Sequence, residues 1–131
     1  MERRAISTTN APQAIGPYSQ AIRCGDWLFL SGQIPLDPAS GQILGTTIEA
    51  QTDRVMKNIV AVLREEGLNL GHVVKATVFL SNMDDFAKFN SVYEGFVQAP
   101  YPARSTVQVA KLPRGALVEI EMTAVGPGAS R

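Results

Sequence analysis

Arg104 follows Pro102-Ala103 and opens a stretch of small and branched residues that reads as a β-strand. Its guanidinium is a rigid planar fork that grips a carboxylate through two parallel hydrogen bonds. Each well-formed hydrogen bond to a charged group contributes on the order of 1.5–3 kcal/mol. On position alone the plainer reading leads, an exposed arginine or a structural ion pair, because arginine is mostly exposed in folded proteins. Glu119 lies between Val118 and Ile120, inside another strand. A partly buried carboxylate there can orient and deprotonate a water, help that contributes about 10²–10⁴-fold. Its plainer role is to pair with Lys75 or Arg114. Glu121 has the same parity and nearly the same claim, and periodicity does not choose between the two.

Tyr18 and the segment Ser31-Gly32-Gln33-Ile34-Pro35 form a second group. Gly32 at a strand end lets backbone come close to a ligand. Ser31 and Tyr18 offer hydroxyl donors. The same residues also serve as ordinary turn chemistry. Asn90 falls in a helix and faces either a cleft or solvent. Cys24 reads as a core residue and His72 as a surface residue opening a strand. With one cysteine and one histidine, the chain cannot make an N/S-ligand zinc site by itself, and an intrachain disulfide is impossible. There is no Walker loop, dinucleotide fingerprint or serine or cysteine nucleophile motif. We therefore expect chemistry without metal or cofactor.

These candidates need a scaffold. The sequence predicts strands over residues 6–9, 19–24, 27–31, 72–81, 103–110 and 117–125. Gly25-Asp26 fits a two-residue hairpin turn, and residues 10–18 and 35–45, rich in proline and glycine, read as ordered loops. Thr46 and Glu49 have capping-box spacing. Ile48, Val55, Ile59, Val62 and Leu63 then recur at helical intervals until Gly67. Asn82 can cap a second helix over residues 83–98, in which Phe86, Phe89, Tyr93 and Phe96 recur at three and four residues, with Pro100 and Pro102 as the stop.

In the strands, Val74, Ala76, Val78 and Leu80 share one face, as do Val118, Ile120, Met122 and Ala124. Alternation sets Val107 and Val109 apart from Arg104, Thr106 and Gln108, and sets Glu119 and Glu121 apart from the apolar set of the last strand. Two helices and about six strands predict an α+β domain over residues 1–131, with both helices on one face of the sheet. The uncovered face then carries charges together with Trp27 and Phe29 or their neighbours. It lies open to water or packs against another copy, and self-association is the favoured expectation.

The chain of 131 residues is one domain in length. Twelve basic and twelve acidic residues balance, so no cationic surplus draws in a phosphate backbone, which counts against nucleic acid. The charged start at Met1-Glu2-Arg3-Arg4 leads into no apolar h-region, and no apolar run reaches membrane-spanning length. The expected address is the cytoplasm, with no membrane partner.

Pro102-Ala103-Arg104-Ser105-Thr106-Val107, Ala110-Lys111-Leu112 and Val118-Glu119-Ile120 together resemble the C-terminal signature of the RidA (YjgF) family. Ala14-Ile15-Gly16-Pro17-Tyr18-Ser19-Gln20, Ser31-Gly32-Gln33-Ile34-Pro35 and Val78-Phe79-Leu80 with Phe86, Asn90 and Tyr93 extend the likeness over nearly the whole chain. The resemblance implies a fold similar to Bacillus chorismate mutase: a six-stranded, mostly antiparallel sheet with two helices on one face, assembled as a homotrimer with clefts between subunits. It implies a deaminase that hydrolyses reactive 2-imino or enamine acids, such as 2-iminopropanoate and 2-iminobutanoate, to 2-oxo acids and ammonia. By the same resemblance Arg104 matches the arginine that holds the substrate carboxylate and Glu119 the glutamate that positions the water. Tyr18, Ser31, Gly32 and Asn90 match cleft positions. Thr106 stands where many members have cysteine, a site at which the backbone is thought to contact the ligand. Two other functions compete: a non-catalytic binder or sensor of small carboxylic acids such as 2-oxo acids, and an RNA-cleaving or translation-inhibiting role also ascribed to some members.

Overall fold

A computed structural model describes residues 2–128. Six strands make one sheet: β1 (Arg3–Ile6), β2 (Ala21–Cys24), β3 (Trp27–Gln33), β4 (Val73–Leu80), β5 (Ala103–Gln108) and β6 (Val118–Val125). Two helices, α1 (Ile48–Glu65) and α2 (Phe86–Tyr93), cover one face. The spatial order is β1-β2-β3-β6-β4-β5. All neighbours are antiparallel except β4 and β5, which run parallel. Parallel strands need a crossover connection, and α2 lies within the one between β4 and β5.

The core lies between the sheet and the helices. Val55, Met56, Ile59, Val62 and Leu63 of α1 are fully buried, at helical spacing. Opposite them lie Leu28 and Leu30 of β3, Ala76, Val78 and Leu80 of β4, and Val118, Ile120, Met122 and Ala124 of β6. Burying one such aliphatic side chain contributes about 1.5–3 kcal/mol, so the α1 stripe holds the helix down with no help from propensity. At its lower end, buried Glu66 receives Arg4 at 2.7 Å and the buried Arg23 at 3.2 Å, tying the edge strands to the helix.

Gly25, with φ of 60°, turns β2 into β3 as expected. Several local expectations need correction. The first strand is Arg3–Ile6, ending where it was predicted to begin, because the backbone at Thr8 bonds to the Gln20 side chain instead. The cap of α1 is Thr47, not Thr46: its hydroxyl accepts from the Ala50 N–H at 3.2 Å. His72 closes a short 3₁₀ turn (Leu70–His72), where its Nδ1 accepts from the Asn69 N–H, and β4 starts one residue later. Val74 is exposed, because an irregularity between Val73 and Lys75 shifts the pairing with β6 and breaks the alternation. Asn82 caps a 3₁₀ turn (Met83–Asp85), and α2 ends at Tyr93 rather than near residue 98. Past Tyr93 the amides of Gly95 and Phe96 bond to the carbonyls of Val92 and Tyr93, a tighter turn than the helix. Cys24 is only half-buried, and the buried member of its strand end is Arg23.

Candidate functional site

The strand order decides where the predicted residues point. β5 and β6 do not form a hairpin, since β4 lies between them. Arg104 pairs with Ala76, and Ala76 with Met122. Residues paired across a sheet share a face, and Ala76 and Met122 are core residues, so Arg104 projects to the helix side. Val107 pairs with Phe79, and Phe79 with Glu119. That row faces the uncovered side. The β5 alternation was correct in period, but its side is the reverse of the simple expectation. The apolar Val107 faces outward, while Arg104 and Thr106 turn toward the helices.

On the helix side, the Arg104 guanidinium carbon lies 5.7, 5.6 and 4.9 Å from the ring centroids of Phe86, Phe89 and Tyr93. Among the described residues it makes no ion pair and no side-chain hydrogen bond. It lines a cavity of about 450 Å³ with Asn90, Tyr93, Glu94, Tyr101 and Pro102. Two residues along the strand, the Thr106 hydroxyl is buried without a hydrogen-bond partner, and so is that of Tyr93. Burial pushes the Tyr93 phenol upward, and the nearby Arg104 cation partly opposes it.

On the other side, Glu119 lines a cavity of about 460 Å³ with Tyr18, Ser31, Gly32, Gln33, Pro113 and Glu121. Its carboxyl is lifted above the ordinary carboxylate value, first by burial and then by the like charge of Glu121. Gly32 lies against it. A Cβ added at Gly32 would collide with the Glu119 carboxylate oxygen and lie 2.9 Å from its carboxyl carbon. Glu121 is exposed where Glu119 is half-buried, and this separates the two acids that periodicity left equal. Lys75 donates to Ser105 at 3.3 Å and so is not the partner of Glu119. The Ser31 hydroxyl donates to the Ser19 carbonyl at 2.6 Å, so it meets a ligand as an acceptor, not as the donor expected. The Tyr18 phenol accepts from the Ile15 N–H at 3.4 Å, which leaves its own proton available.

The structure therefore gathers the predicted residues into two groups. Arg104, Asn90 and Thr106 lie on the helix side, and Tyr18, Ser31, Gly32 and Glu119 on the other. Sequence reasoning missed the supports. Gln20, almost fully buried, accepts from the Thr8 N–H at 2.7 Å and donates to the carbonyls of Thr8 and Pro12, which fixes the loop that carries Tyr18. Asn58 donates to the Leu36 carbonyl at 3.0 Å and pins the segment after Gly32 to α1. Phe86, Phe89 and Tyr93 were visible as a helical stripe, and Phe86 and Tyr93 as part of the family likeness, but not as neighbours of Arg104. Among the described residues no cluster of three His, Cys, Asp or Glu side chains could hold a metal ion, and no helix is long and apolar enough to cross a membrane.

A small α+β domain with an unpaired arginine in a cavity on one side and two glutamates in a cavity on the other is the class these observations define. A sequence profile described as Endoribonuclease L-PSP matches residues 8–126. The chain belongs to this family, the RidA (YjgF) family. It is 46% identical over 126 residues to the mouse 2-iminobutanoate/2-iminopropanoate deaminase, covering 95% of this chain and 93% of that protein. It is 51% identical over 127 residues to protein DfrA of Myxococcus xanthus, covering 95% and 97%. Among solved structures, the Rid-family protein YyfA of Yersinia pestis superposes with a TM-score of 0.93 at 46% identity, covering 95% of this chain and all of that one. Escherichia coli TdcF, solved with bound serine, gives 0.89 at 43%, covering 94% and 98%. The six-stranded sheet with two helices expected from sequence is the fold observed.

Proposed function

We propose that the chain is a hydrolytic deaminase of small 2-imino acids, converting them to 2-oxo acids and ammonia. The observation that carries this reading is Arg104, a half-buried guanidinium that forms no ion pair among the described residues although Glu94 lines the same cavity. A cation so placed is made for a small carboxylate. Asn90 lies in the same cavity and presents an amide to the other polar end of the ligand. The second requirement is a base, and Glu119 meets it. Its lifted carboxyl titrates closer to neutrality than an ordinary glutamate, as a proton shuttle should. Glu119 takes a proton from water as the water oxygen adds to the imine carbon and hands it to the nitrogen; the hydroxyl proton of the resulting carbinolamine follows by the same route, and the C–N bond breaks to release ammonia as the carbonyl forms. Holding the acid beside an aimed water supplies proximity, and backbone N–H groups near Gly32 and Thr106 steady the shifting charge.

Because Arg104 and Glu119 project from opposite faces of one sheet, a single chain cannot bring them to one substrate. We infer that the two cavities are halves of a site completed between protomers, in a homotrimer whose subunits pack through the uncovered face. Names of relatives support the chemistry: the mouse and goat proteins, each 46% identical, are 2-iminobutanoate/2-iminopropanoate deaminases.

An amino-acid oxidase that supplies the imine, with semicarbazide competing for it, tests the activity. The protein should divert flux from the semicarbazone to free 2-oxo acid, and Arg104→Ala should abolish the diversion while the circular dichroism spectrum is kept. An unchanged rate in that variant removes Arg104 from the reaction. TdcF with bound serine favours a second reading, a binder of small amino or oxo acids without turnover. In that case Glu119→Gln keeps ligand affinity and every cellular effect. The family description also names an endoribonuclease. The zero net charge weighs against it, and steep salt dependence of RNA binding would be its signature.

A further inference from the structure

We propose that Phe86, Phe89 and Tyr93 are positioning residues for the anion site, holding the Arg104 guanidinium against their ring faces as an oriented cation. The inference rests on the reading of Arg104 as the carboxylate holder and says what keeps it ready. A guanidinium on a strand is usually steadied by an acidic partner, but such a partner would occupy its N–H donors and cancel its charge before any ligand arrived. Here three aromatic rings take that place, at 4.9 to 5.7 Å from the guanidinium carbon. An aromatic face attracts a cation through its quadrupole without accepting its N–H bonds, so all five donors stay free for a planar anion.

The sequence makes the cradle in one element. Phe86, Phe89 and Tyr93 are spaced three and four residues apart on α2, so they share one face of that helix. Phe89 and Tyr93 are buried, with ring centroids 5.4 Å apart. The floor is therefore rigid; Phe86, packed against the core, is only half-buried, and of the three rings it is Tyr93 that lines the cavity. Glu94, the nearest acid among the cavity residues, makes no ion pair with Arg104. The open edge of the guanidinium is left for a carboxylate, on the proposed function that of a small 2-oxo or 2-imino acid, while the rings cover its flat side.

The test replaces Phe86 with 4-fluoro-, 3,5-difluoro- and 3,4,5-trifluorophenylalanine in the full-length protein. Fluorine drains the ring quadrupole with little change of shape, so a merely structural role leaves affinity unmoved. Calorimetric Kd for 2-oxobutanoate should rise with each fluorine, about three- to tenfold across the series. Phe86→Leu should weaken binding by a similar factor, Phe86→Trp should restore it, and KM should move more than kcat. A Kd that stays flat across the fluorinated series overturns the proposal. Arg104→Ala separates the two readings. If it abolishes binding while the series is flat, only the aromatic cradle fails; if 2-oxobutanoate still binds to it, the reading of Arg104 itself fails and takes the cradle with it.

Discussion

Glu119 shows how much can turn on a single side chain. Its carboxyl is raised above the ordinary 4.5 by burial first and by Glu121 second. If Glu119 is the proposed base, the rate should fall as pH drops through a value above that of a free glutamate. Glu121→Gln removes the like charge, so the acid limb of the pH–rate profile should move to lower pH; a limb that does not move assigns the whole shift to burial. Stability runs the other way. A carboxyl raised in the folded state contributes stability while protonated, below its unfolded value, and loses it as pH rises through the folded value. Glu119→Gln should therefore be more stable than the parent at pH 7, and thermal melts should show the gap closing toward pH 4. Residue types made Arg104 and Glu119 candidates in the sequence, but position alone favoured a plain surface or ion-pair role, and only the family resemblance singled them out. What no residue type announced was the partnership of Gly32 with Glu119, because the two are brought together only by the pairing of β3 with β6.

At the level of elements, legibility followed the range of the interactions. The α1 stripe, the Gly25 turn and the apolar alternation of β6 are local and were readable. The end of α2 was not, since Phe96 continues the helical period although the chain has already tightened into turns. Nor was the side on which Arg104 stands. Local alternation gives a strand's period but not the face it turns to the core. That depends on β5 lying parallel on the far side of β4, a crossover through α2 that composition does not encode. Loops are held by side chains that pattern reading passes over. Gln20→Leu would strand the Thr8 amide and the Thr8 and Pro12 carbonyls in partly buried positions. Such losses cost about 1–3 kcal/mol each when unsatisfied. We expect a fall of several degrees in Tm and faster amide exchange over residues 8–18, while exchange in α1 is unchanged.

Seen whole, the protomer has one finished face and one unfinished. Trp27 and Phe29 stack at 6.2 Å on the uncovered side, 48% and 47% exposed, with Val107 at 43%. Scattered apolar exposure is normal, but Trp27 and Phe29 stacked side by side on an uncovered sheet face are the surface on which the proposed self-association would rest. If the proposed homotrimer packs through this face, Phe29→Asp should shift light-scattering mass toward monomer and lower the proposed deaminase activity with it, while monomer secondary structure persists. A variant that remains fully assembled and active would show that this face is not the seam.

The opposed orientation of Arg104 and Glu119 has an arithmetical consequence. If each catalytic crevice borrows its cation from one subunit and its base from the next, two dead proteins can repair each other. Purified Arg104→Ala and Glu119→Gln chains, each inert, would regain turnover when unfolded together and refolded as hybrids, because some junctions would receive an intact half from either parent. Hybrids that remain silent would mean that Arg104 and Glu119 do not serve one shared crevice.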